Sequence, residues 1–176
     1  PRPLPPPSSP PHPPSPPPIP AIFALHRGDS AAATSQLDRA ACLARDLLTE
    51  ECASSASLRQ QGAVASMLEE FAEARLFEAW MRTGSLLTRD SDAFLDADRR
   101  CMLTPAEYLG GVCDLVGEIG RHAVRRATER DDDAVRGALA SAAAVQSGLM
   151  GMGNDLPRGA SKKMDALKVC RRAIAP

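Results

Sequence analysis

At 176 residues, 44% hydrophobic but only 3% aromatic, the chain is long enough for one domain with a real core, and its alanine-rich make-up favours close-packed helices over a β-sandwich. Its formal net charge of −1 excludes binding to nucleic acid through overall basicity, so such a role needs local patches or a partner chain. The five cysteines, Cys42, Cys52, Cys101, Cys113 and Cys170, are odd in number and include no Cys-x-x-Cys pair, which suggests reduced core residues and neither a disulfide framework nor a zinc site, and no apolar run reaches the roughly 18 residues of a membrane span.

Residues 1–20 hold most of the chain's 16 prolines and cannot form a helix, because each proline lacks an amide donor and clashes with the preceding turn. A disordered or polyproline-like tail is expected there, with an all-α domain over residues 21–176. Ala21 to Arg27 is a short apolar helical piece, broken by Gly28 and Asp29. Ala33 to Cys52 is amphipathic, with Leu37, Ala41, Ala44, Leu47 and Leu48 inward and Asp38, Arg39, Arg45 and Asp46 outward. Ser54 to Ser57 interrupts, and a long helix is predicted from Leu58 to Thr83. Thr88 to Asp98 is a polar connector.

The next helix is the best signalled. Thr104 can cap its amides, Pro105 suits the first helical position, and Glu107 stands where a capping box wants a carboxylate. Tyr108, Val112, Leu115, Val116, Ile119 and Ala123 form an apolar face, with Asp114, Glu118, Arg121 and Arg125 opposite. Gly110, Gly111, Gly117 and Gly120 each cost roughly 0.8–1 kcal/mol in a helix, which predicts close approach of another backbone. The acidic run Asp131 to Asp133 suits the start of a further helix reaching Met150, and a basic helix is predicted over residues 160–175.

Glu70 and Glu73 are neighbours on one stripe of the long middle helix, continued by Phe77 and Trp80, while Val64, Leu68, Phe71, Ala72 and Ala79 make an opposite apolar stripe. Two helices that each offer two acids can aim four carboxylates into one gap. Hard oxygen ligands of that kind suit Mg²⁺ or Mn²⁺, which could activate water against a phosphodiester. The same spacing also describes a solvated face on which Glu118 pairs with Arg121 or His122, so spacing leaves both readings open. Histidines are too few for a histidine metal site or a Ser/His/Asp triad. Arg121 with Arg125 and Arg126, and the tract containing Arg158, Lys162 and Lys163, are the basic clusters a phosphate backbone could use.

Four blocks, AIFALHR at the start, EFAEA from Glu70, EYLGGVCDLVGEIGR from Glu107 and GNDLPRGASKKMDALK from Gly153, together resemble the translin family, and within it the translin-associated factor X type more than translin. The resemblance implies a layered antiparallel helical bundle, assembly with a translin-like subunit into a barrel-like hetero-oligomer, and a cytoplasmic and nuclear location. It implies a Mg²⁺-dependent endoribonuclease acting on single-stranded RNA in silencing and pre-tRNA processing. The alternative it leaves is a non-catalytic subunit that binds single-stranded RNA or DNA or serves as a scaffold. Carried over by motif, the catalytic and metal-binding acids are Glu70, Glu73, Asp114 and Glu118; the basic clusters supply the expected nucleic-acid contacts, Arg121, Arg125, Lys162 and Lys163. The family's long N-terminal helix is replaced here by the proline tail, and its last helix continues beyond this chain's end.

Overall fold

The computed structural model describes residues 20–157. Residues 1–19 of the expected tail, the segment predicted as a basic helix with Lys162 and Lys163, and Cys170 lie outside them, while Pro20, counted with the tail, takes the first position of a helix. Among the described residues the fold is all-α, with one isolated bridge between Leu95 and Cys101.

Helix α1 spans Pro20–His26 and α2 spans Ser30–Asp46, with the Asp29 carboxylate between them accepting from the Ala32 amide at 3.0 Å. Leu37, Ala41 and Ala44 are buried, as their spacing predicts. The chain continues through a wide π turn, Leu47–Glu51, into α3, Cys52–Ser54, and then a short α4, Ala56–Arg59. Helix α5 begins only at Gly62 and ends at Thr83, because Gln61 is extended at φ −69 and ψ 136. The single long helix expected from Leu58 is therefore two. Gly84 closes α5 in the left-handed region at φ 71, its amide donating to Trp80 O at 2.8 Å.

Ten residues of α5 are buried and they surround it, so this helix is the hub of the core. The antiparallel α2 flanks it: Arg75 pairs with Asp38 at 2.7 Å and Thr34 donates to Glu78 at 2.8 Å. On its other side lies α6, Pro105–Thr128. Gly110 and Gly111 face Glu69, Ala72 and Glu73, while His122 meets Trp80, so α5 and α6 run in the same direction. The crossover that makes this possible, residues 84–104, buries Phe94 completely and sets its ring edge-on to Phe71. Sequence patterning gives a polar connector and misses that core residue.

The start of α6 is pinned from two directions. Thr104 and Glu107 form the expected capping box, and Arg59 makes a two-pronged ion pair to the same Glu107 at 2.6 and 2.7 Å. Burial pushes the Glu107 carboxyl up, but the hydrogen bonds from Arg59 and Thr104 outweigh it and hold it below the usual range. Helix α7, Asp132–Gly151, is capped by Asp131 and folds back along α6 after a short turn.

Of the cysteines, Cys52 and Cys113 are buried and Cys101 is half-buried, in line with core roles. Cys42 is exposed, because it falls on the outer side of α2. Among the described residues no helix is long and apolar enough to cross a membrane.

Candidate functional site

Three helices converge on one acidic cavity of about 450 Å³. Its walls are Ile22, Phe23 and His26 from α1, Glu70 and Glu73 from α5, and Glu118 and Arg121 from α6. Asp114 is not part of the wall, yet its charge acts on both Glu73 and Arg121. The structure thus brings the four expected acids and Arg121 into one neighbourhood.

Two glycines set the spacing. A Cβ on Gly111 would stand 2.7 Å from Ala72 Cβ and 2.9 Å from the Glu73 backbone nitrogen, and one on Gly110 would meet the Glu69 side chain at 2.6 Å. Close approach of a neighbouring backbone explains Gly111, while at Gly110 the space is taken by the Glu69 side chain. It does not explain Gly117 and Gly120, which have nothing nearer than 4.0 Å.

Glu118 belongs to the buried side of α6 and not to a solvated polar face: it is 4% exposed. It is clasped by Arg121, whose Nε donates to Oε2 at 2.9 Å and whose second nitrogen bonds Oε1, and by His26 Nε2, 2.7 Å from Oε2. Burial alone would raise its pKa. The hydrogen bonds and charges of Arg121 and His26 prevail and lower it.

Glu73 is the opposite case. It is 9% exposed, and burial, then the charges of Asp114 and Glu118, then a hydrogen bond to Glu118, push its carboxyl up to about 8 against the pull of Arg121. Burial thus favours the neutral form of Glu73, which can donate to the Glu118 carboxylate.

Other expected residues fall elsewhere. Arg125 pairs with Glu129 at 3.2 Å, one turn further along, and does not join Arg121 at the acids. Burial, followed by the nearby Arg126, lowers the His122 pKa, and its ring stands edge-on to Trp80 at 5.3 Å. The residue that sequence reasoning missed is His26. Its ring lies 4.9 Å from Phe77, in tilted contact, while its nitrogen reaches Glu118. Only the AIFALHR block hinted at it.

A wider hollow of about 580 Å³ lies near Cys52, Arg59, Arg100 and Cys101. Its Arg59 is committed to Glu107, and its one carboxylate, Asp96, accepts from the Arg100 amide at 2.8 Å. The chemistry belongs to the acidic cavity.

Among the described residues no three histidine, cysteine, aspartate or glutamate side chains are arranged, as they stand, to hold a metal ion. The donor chemistry nevertheless fits a hard divalent cation. Glu70, Glu73 and Glu118 line one cavity and Asp114 adds its charge beside them, an oxygen donor set of the kind that such a cation takes. Seating an ion requires Glu73 to lose its proton and Arg121 to release Glu118.

The fold is similar to two solved structures. One is the crystal structure of AfC3PO, with 23% identity, a TM-score of 0.67, and coverage of 84% of this chain and 73% of that one. The other is a complex of AfC3PO with duplex RNA, with 22% identity, a TM-score of 0.63, and coverage of 84% and 72%. No curated protein sequence matches the chain. The model of the translin family matches residues 21–171, nearly the whole chain beyond the proline tail, and the chain therefore belongs to the translin family.

Proposed function

We propose that this chain is an RNA-binding subunit of the translin type, of the factor X kind, and that it cuts single-stranded RNA at the acidic cavity with Mg²⁺ or Mn²⁺, in a hetero-oligomer with a translin-like subunit. The observation that carries the reading is the convergence of Glu70, Glu73 and Glu118 on one cavity beside Arg121, with the charge of Asp114 acting on Glu73. Two helices hold their carboxylates where burial and mutual repulsion raise Glu73 to about 8, an arrangement that is unfavourable for stability and suited to a cation.

Glu70, Glu73, Asp114 and Glu118 would hold the ion. Bound there, it would polarise a phosphate oxygen and lower the pKa of a water. Arg121, with 64% of its side chain exposed, would turn from Glu118 towards a phosphate. Phe23, 56% exposed on the cavity wall, offers a ring on which an unpaired base can stack, a contact typically worth about 1–3 kcal/mol. AfC3PO has been solved in complex with duplex RNA, which supports RNA as the polymer, while the single strand comes from the family resemblance. A net charge of −1 supports a partner that supplies much of the phosphate affinity.

A second reading, a non-catalytic binding or scaffolding subunit, draws on the ion pairs that already occupy Glu118. Cleavage of single-stranded RNA by the full chain with a translin-like partner and Mg²⁺ separates the two. Glu73→Gln and Asp114→Asn should each lower the cleavage rate by roughly 100-fold or more with RNA affinity, read by fluorescence anisotropy, little changed. Cleavage that survives in both variants sinks the catalytic assignment in favour of the binding subunit.

A further inference from the structure

Glu118 has two cationic or donor partners, and they differ in how they are held. The Arg121 side chain is 64% exposed, and its long stem can swing into solvent at the cost of one surface-facing ion pair. The His26 side chain is 19% exposed, sits on the last turn of α1 and leans on the Phe77 ring. Its neighbours Ala24 and Leu25 are buried in the core, so His26 cannot withdraw without lifting α1.

A carboxylate has about four lone-pair directions. On Glu118, Oε2 accepts from both His26 and Arg121 Nε, Oε1 accepts from the second Arg121 nitrogen, and Glu73 supplies one more hydrogen bond. When Arg121 turns away into solvent, the His26 bond still holds Oε2 from the α1 side. A carboxylate tethered on one oxygen by a donor packed against an aromatic ring keeps its other oxygen aimed in a fixed direction, which is how donors behind metal-binding carboxylates act.

We infer that His26 is the positioning residue of this site: its Nε2–H tethers Glu118 so that the carboxylate stays aimed into the cavity when Arg121 swings away to phosphate. The inference rests on the proposed cation site. It assigns unequal roles to the two partners, His26 as a fixed tether and Arg121 as an exchangeable clasp.

The test measures Mn²⁺ binding to the full-length protein at pH 8 by electron paramagnetic resonance, with thermal melts to follow folding. His26→Phe keeps a ring against Phe77 but has no N–H, and it should weaken Mn²⁺ binding by roughly 10–100-fold. His26→Gln, which can still donate, should recover most of that loss, and Arg121→Ala should bind as tightly as wild type or tighter. Unchanged affinity in His26→Phe overturns the tether, as does equal weakening in His26→Gln, which would reduce His26 to ring packing. Weakening in Arg121→Ala as large as that in His26→Phe overturns the unequal roles. No Mn²⁺ binding by wild type would instead overturn the cation site itself.

Discussion

Glu73 concentrates the conflict between stability and chemistry in one side chain. Its folded-state pKa of about 8 stands above the ordinary 4.5, so between those values the native protein keeps a proton that the unfolded chain has lost. The stability that Glu73 allows is fully present below about pH 4.5 and is lost as pH rises towards about 8. Glutamine has nearly the same shape and no charge to bury. In metal-free buffer Glu73→Gln should therefore be more stable than wild type at pH 9, on the order of 1–3 kcal/mol, with little difference near pH 4. Urea denaturation at the two pH values would show it, and a variant less stable than wild type at pH 9 would mean that Glu73 is not a strained acid. The four acids are legible in sequence through their helical spacing and the family blocks. Their protonation is not, because it depends on how deeply the cavity is buried. His26 is not legible either: it lies 92 positions from Glu118, and a lone histidine at the end of an apolar helix has no pattern to announce its partner.

At the level of elements, the site is a matter of how closely α5 and α6 approach. The capping box at Thr104 and Glu107 is readable because it is local. The Arg59 ion pair that secures the same helix end spans 48 positions and is not. Glycine in a helix announces an unusual requirement without saying which glycine has it. Gly111→Ala would drive a methyl group into Ala72 Cβ at 2.7 Å and the Glu73 backbone nitrogen at 2.9 Å, and backbone cannot move aside as a side-chain tip can. That substitution should cost roughly 2–3 kcal/mol by forcing the helices apart. Gly120→Ala meets nothing within 4 Å and should gain about 0.5–1 kcal/mol from helix propensity. Thermal melts of the pair would reveal opposite signs, and destabilisation by both would mean that the helices are packed differently from this geometry. The break at Gln61 escaped periodicity for a related reason. Arg59, Gln60 and Gln61 all favour a helix by propensity, yet the backbone turns extended at Gln61, and propensity does not fix a dihedral angle.

Over the whole molecule, the cavity exists only when the fold is complete. α1, α5 and α6 each supply part of its wall, and α5 and α6 come into register only because residues 84–104 carry the chain back before α6 begins. An unfolded chain has no such site, so a cation bound there stabilises the native state alone and should raise the melting temperature with concentration. At about 100 times its dissociation constant the gain is roughly 2.7 kcal/mol, or about 5–10 °C for a domain of this size. The proton on Glu73 sets the pH dependence. Below about pH 8 an ion must displace that proton, so its apparent affinity should fall by up to about tenfold per pH unit on the acid side. Melting curves with and without Mg²⁺ should therefore show a clearly larger shift at pH 8.5 than at pH 6. Glu73→Gln, which removes a ligand and the titrating group together, should show little shift at either pH. Equal shifts at both pH values in wild type would place the bound ion elsewhere on the molecule, because ordinary surface carboxylates are ionised throughout that range and would not distinguish the two conditions.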